Sequence, residues 1–140
     1  MKGIKLEEPR NVDCVELEKP VPGPGEELIR IVTAGICGSD IGAFRGTNTL
    51  VSYPRIIGHE LAGIVEEIPA DNPKGLKPGD KVIVDPYIYC GECYPCSIGR
   101  TNCCTSLKVL GVHIDGGMAE YFCHPADMLV KMPEDMDWTD

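Results

Sequence analysis

Cationic side chains are scarce in this sequence of 140 residues: 13 Lys and Arg stand against 22 Asp and Glu, giving a net charge of −9 and a pI near 4.7. A chain so charged repels phosphate, which argues against nucleic acid and anionic membrane surfaces and leaves small neutral molecules as the open class of partner. Long apolar runs are missing too. None is long enough to span a bilayer, and residues 1–9 hold no apolar core of a secretory leader. A reducing cytoplasm is the expected setting, where eight cysteines point to metal or chemistry rather than disulfides. Internal repeats and low-complexity tracts are absent. With 43% apolar and 25% charged residues the composition is that of an ordinary globular domain, and the length predicts a single core.

What the sequence has in quantity is turn formers, 16 Gly and 12 Pro. They punctuate short β-prone runs predicted at residues 12–17, 27–33, 61–68, 81–84, 118–123 and 128–131. Val21-Pro22-Gly23-Pro24-Gly25, Lys77-Pro78-Gly79-Asp80 and Asp115-Gly116-Gly117 are the breaks between them. Several short strands at such intervals predict a mainly β fold, a barrel or a sandwich. Helix should be minor. Residues 39–44 fit one or two turns capped by Ser39 or Asp40, although Gly42 weakens them. Residues 133–140 read as a helix beginning, with Thr139 or an Asp as cap, so the sequence reads as a piece of a longer protein.

The densest chemical signal runs from Cys90 to Cys104. Cys90, Cys93, Cys96 and Cys104 are spaced so that four thiolates can close around one Zn²⁺, with Gly91 and Pro95 letting the loop fold back between them. A shell of four sulfurs has no open position, so the expected role is structural, holding residues 90–104 as a lobe. A disulfide cluster is the competing reading. Cys103, beside Cys104, is expected to be a bystander, while Cys14 and Cys123 should be core and His113 and His124 structural.

A second constellation lies upstream, in Gly35-Ile36-Cys37-Gly38-Ser39-Asp40 and Gly58-His59-Glu60. One thiol and one imidazole, each near a carboxylate, suit an open zinc site. Taken singly, Cys37 reads more readily as a small buried side chain and His59 as a satisfied loop residue than as ligands.

These two motifs together with Gly63, Lys77-Pro78-Gly79-Asp80-Lys81-Val82, the four-cysteine loop, Gly99-Arg100-Thr101-Asn102-Cys103-Cys104 and Leu110-Gly111-Val112-His113 resemble the zinc-dependent medium-chain alcohol and polyol dehydrogenases. The likeness is strongest to the sorbitol-dehydrogenase-like and sugar-acid-dehydrogenase-like members. It covers almost the whole chain. The resemblance implies a GroES-like, partly open β-barrel with short helices and a protruding zinc loop over residues 1–140, followed in the family by a Rossmann domain that binds NAD(P). No Gly-x-Gly-x-x-Gly follows a strand here, so no residue of this chain is assigned to that cofactor.

By the same resemblance Cys37, His59 and Glu60 match the catalytic zinc ligands or near-ligands, Ser39 matches the hydroxyl that relays the substrate proton, and Asp40 orients His59. Two zinc sites are thus implied, the catalytic one completed by a further Cys or Glu beyond residue 140. The implied reaction is oxidation of a secondary alcohol, polyol or sugar acid by NAD(P)⁺ in a full-length homo-oligomer, and the shorter chain should be inactive alone. Many relatives place a proton-passing His where this sequence has Gly42. Phe44, Tyr53, Pro86 and Tyr87 flank the motifs as candidate pocket residues. A zinc-stabilised scaffold module and a metal-free reductase of the same fold remain as alternatives, separated by counting bound metal: two sites, one or none.

Overall fold

Apolar alternation is cleanest in Leu61-Ala62-Gly63-Ile64-Val65, where Leu61 and Val65 are buried and their neighbours Ala62 and Ile64 are not. In the computed structural model, which describes residues 1–69 and 74–138, this stretch forms the middle strand of the largest sheet. The strands in chain order are β1 (Lys2–Glu8), β2 (Asn11–Glu16), β3 (Glu26–Gly35), β4 (Arg55–Ile56), β5 (Glu60–Glu67), β6 (Lys81–Val84), β7 (Tyr87–Ile88), β8 (Lys108–Val109), β9 (Tyr121–Pro125) and β10 (Leu129–Lys131). Two short helices, α1 (Gly38–Arg45) and α2 (Tyr94–Ser97), accompany them. The fold is mainly β, as the turn-rich sequence predicts. Among the described residues no helix is long and apolar enough to cross a membrane.

All pairings between these strands are antiparallel, in a five-stranded sheet ordered β10-β6-β5-β3-β9, a three-stranded sheet β2-β1-β4, and the pair β7-β8. Residues just before β9 join the first two sheets. The Ile4 amide donates to the Met118 carbonyl (2.8 Å) and the Glu120 amide to that of Lys2 (3.0 Å), so the curled sheet closes only in part. Ile29, Leu61, Val65, Val82, Val84, Leu110 and Leu129 pack beneath the large sheet. A second cluster of Leu6, Ala43, Val51, Ile57 and Val112 fills the space between the small sheet and α1. Each fully buried Leu, Ile or Val contributes about 1.5–3 kcal/mol.

Several boundaries differ from the sequence reading, each for a reason in the pairing. β1 is not among the β-prone runs of the sequence: its buried Gly3 and Leu6 are three apart, off the strand period, and its ladders to β2 and β4 hold it as a strand. The strand expected at residues 118–123 starts at Tyr121, since Ala119 and Glu120 turn aside to β1. The helix at residues 39–44 runs from Gly38, and its cap is Cys37 rather than Ser39 or Asp40. No helix starts within residues 133–138: the Met136 amide reaches the Pro133 carbonyl (3.2 Å) in a single turn, while the suggested cap Thr139 lies outside the described residues. Cys14 is exposed on β2 rather than core, and Cys123 is half-buried.

His124 is structural. Fully buried on β9, it donates from Nε2 to the Asp85 carbonyl over 2.8 Å, and desolvation holds its pKa below the ordinary 6.5 despite that bond and the charges of Asp85 and Glu26. A lowered folded-state pKa gives a contribution complete above pH 6.5 and surrendered as pH falls from there, because the unfolded imidazole then takes a proton that the folded one refuses. Urea midpoints of the native and His124→Gln chains, measured from about pH 7.5 to about pH 5.5, are expected to converge on acidification. Parallel curves would mean that His124 takes up its proton as readily in the fold as in the unfolded chain.

Candidate functional site

Residue Gly35 ends β3 directly opposite Glu60, which begins β5. That register brings the turn after β3 and the residue before β5 to the same edge of the sheet, and Cys37 and His59 with them. The ligand atoms of Cys37, His59 and Glu60 all lie within 4.8 Å of one another. Cys37 caps α1, so the partial positive charge of the helix N-terminus faces the thiol. The Cys37 amide donates to Asp40 Oδ2 (2.9 Å), and Asp40 Oδ1 faces His59 Nδ1 at 3.6 Å, longer than a hydrogen bond. One buried carboxylate thus holds the Cys37 amide and lies beside His59, whose buried Nδ1 makes no hydrogen bond. His59 Nε2 points the other way and meets Ser39 Oγ at 3.2 Å.

The backbone before His59 is held by glycines. Gly58 adopts φ of 98°, and a Cβ on Gly116 would fall 2.2 Å from the Gly58 carbonyl oxygen. The Gly117 amide donates to that carbonyl (3.1 Å) and the Met118 amide to Ile57 (2.9 Å). The Asp115-Gly116-Gly117 turn is thus a seat for the loop that presents His59.

Cys37, His59 and Glu60 line a cleft of about 630 Å³, and Pro86, Tyr87 and Trp138 line it with them. Pro86 and Tyr87 were legible as pocket residues, whereas Phe44 and Tyr53 lie elsewhere. Phe44 lines a separate apolar groove, and Tyr53 packs in the second core cluster with its hydroxyl donating to Ala43. Trp138 carried no motif that could have flagged it. Gly42 leaves its carbonyl to the amides of Thr47 (2.9 Å) and Asn48 (3.2 Å) and has no group to pass a proton.

The sulfur loop stands between β7 and β8. Gly91, at φ of 78°, reverses the chain between Cys90 and Cys93, Cys93 caps α2, Cys96 sits within it, and a 3₁₀ turn over Thr101–Cys103 delivers Cys104. The four sulfurs all lie within 4.8 Å of one another. Cys93 and Cys96 are 3.4 Å apart and Cys90 and Cys104 3.5 Å, far beyond a disulfide bond and close to the roughly 3.8 Å edge of a tetrahedron with 2.3 Å metal–sulfur bonds. The disulfide reading fails on those distances. Cys103 is exposed and outside the group.

The electrostatics also fit a cation. The amides of Glu92 and Cys93 hold the Cys90 thiol below its ordinary value, those of Thr105 and Cys96 do so for Cys93, and that of Cys90 does so for Cys104. Cys96 is pushed up to about 12, by desolvation first and by the neighbouring Cys93 sulfur second. Backbone amides thus favour the charged form at three sulfurs, while burial opposes it at Cys96, where a cation would have the most to offset.

Comparison with known proteins places the chain. The family described as "Alcohol dehydrogenase GroES-like domain" matches residues 23–134. An uncharacterized zinc-type alcohol dehydrogenase-like protein of Haemophilus influenzae is 57% identical over 136 residues, covering 97% of this chain and 40% of that protein. L-galactonate-5-dehydrogenase of Escherichia coli is 44% identical over 125 residues, covering 89% and 36%. A solved short chain alcohol dehydrogenase (rspB) of Escherichia coli CFT073, complexed with NADH, superposes with a TM-score of 0.86 at 45% identity over 98% of this chain and 40% of that one. The chain thus spans about two fifths of the length of the curated relatives it matches.

The sulfur geometry makes a definite forecast. Cys93→Ser is expected to cost the chain one bound zinc, measured by atomic emission, and to raise amide exchange across residues 90–104 while the five-stranded sheet stays protected. Collapse of the whole fold would show that the lobe is not a separable unit.

Proposed function

This chain belongs to the family of the alcohol dehydrogenase GroES-like domain, and on that premise we propose that it is the zinc-carrying N-terminal part of a dehydrogenase oxidising a secondary alcohol, polyol or sugar acid with NAD(P)⁺. The observation that carries this is the convergence of Cys37, His59 and Glu60 on one point of the cleft wall, with Ser39 Oγ beside them. A scaffold module would need the sulfur loop but has no use for this second group. The nicotinamide cofactor is assigned to the portion of the full-length protein that this chain does not span.

Cys37, His59 and Glu60 are the residues that would hold the catalytic zinc, which when bound supplies Lewis acidity to a substrate oxygen. A proton on Nδ1, the side that faces Asp40, would leave the Nε2 lone pair toward Ser39 Oγ and the metal position. Ser39 Oγ, 3.2 Å from His59 Nε2 and partly exposed, would take the substrate hydroxyl proton as it gives its own to solvent. Pro86, Tyr87 and Trp138 line the same cleft and offer apolar surface to the carbon skeleton of a substrate. Cys90, Cys93, Cys96 and Cys104 hold the structural zinc. The full-length protein is read as a cytoplasmic homo-oligomer acting on a small molecule, with no nucleic-acid or membrane partner.

The test is made on the full-length protein with a panel of polyols and aldonic acids, following reduction of NAD⁺ and NADP⁺. Ser39→Ala should lower kcat by about 10²–10⁴ while leaving two zinc ions per chain. A Ser39→Ala enzyme of native kcat, or a native protein with a single zinc, would overturn the reading.

A further inference from the structure

Glycine 35 is an ordinary strand residue in its pairing, yet the space beside it is not ordinary. Its register partner Glu60 folds its side chain across the strand, so that a Cβ on Gly35 would fall 2.5 Å from Glu60 Oε2, 3.0 Å from its Cβ and 3.4 Å from its carboxyl carbon. Opposed residues of an antiparallel pair share a face, and a side chain at position 35 would stand where the carboxylate lies. The same carboxylate is within 4.8 Å of the Cys37 sulfur and a His59 nitrogen, and Gly35, Cys37, His59 and Glu60 all line one cleft.

From this we infer that Gly35 is a positioning residue for the metal site: its missing side chain is the slot through which Glu60 bends back from an exposed strand end to the Cys37–His59 pair. The inference rests on the proposed function and deepens it. A free glutamate at the start of an exposed strand extends into water, and confining it costs side-chain entropy that open space cannot offset. Gly35 replaces that open choice with a shelf of backbone. Its φ lies outside the left-handed region, so alanine suits the backbone; the nearest obstacle is the far end of a flexible side chain, and the Glu60 Cβ behind it has to give by a few tenths of an ångström. Gly35→Ala therefore displaces the carboxylate and leaves the sheet in place.

Cobalt(II) reports on this directly, since a thiolate ligand gives it a charge-transfer band. The chain is loaded with one equivalent of zinc to fill the sulfur loop and then titrated with cobalt, following the band that Cys37 produces and that Cys37→Ser removes. Gly35→Ala and Glu60→Gln are each expected to weaken this second site about tenfold or more. The double variant should be no weaker than either single one, and the thermal midpoint of Gly35→Ala should stay within a few degrees of native, on the order of a 1 kcal/mol change or less. Native cobalt affinity in Gly35→Ala, or losses that multiply in the double variant, would overturn the inference alone. Absence of the Cys37-dependent band in the native chain would overturn the metal site itself and the inference with it.

Discussion

The register of β3 against β5 is the constraint on which the candidate site depends. Gly35 opposite Glu60 brings two chain segments to the same sheet edge, and Cys37 and His59 follow at fixed offsets. A slip of one residue would turn Leu61 and Val65 out of the core and Glu60 away from Cys37, so the burial that stabilises the sheet also fixes the site. Function at this edge needs no separate source of order. The hydrophobic core supplies it.

Glycine at three places lets backbone take the room of side chains. Gly58 turns the chain ahead of His59, Gly116 admits the turn that braces it, and Gly35 yields its surface to Glu60. Asp40 adds the polar counterpart, with one oxygen on the Cys37 amide and the other toward His59. The residues proposed to hold the metal are thus set in place by neighbours that do not hold it.

The sulfur loop follows a different logic. Its order comes from Gly91, α2 and the 3₁₀ turn, all inside the loop, with β7 and β8 closing its base. Amide groups of the loop already favour negative sulfur at Cys90, Cys93 and Cys104. That local character is why it could be read as a unit from spacing, and why the distances within it answer the disulfide alternative.

The strands that alternate, β5 and β6, were legible almost to the residue, as were the turns at Gly25 and Gly79, which both adopt positive φ. β1 was not, because only Ile4 and Leu6 alternate among its polar residues and the burial falls on Gly3 and Leu6 instead; pairing rather than pattern makes it a strand. Trp138 in the cleft wall and Phe44 outside it were equally beyond reach, since neither placement follows from neighbours in the chain. By itself the sequence determined the mainly β class, the four-sulfur loop and the identity of the residues offered for a second site, because spacing, turn chemistry and donor type are local properties. Only the tertiary structure decided that Cys37, His59 and Glu60 meet, and that Glu60 reaches them across Gly35. Those contacts are set by strand register and close backbone approach between segments far apart in the chain.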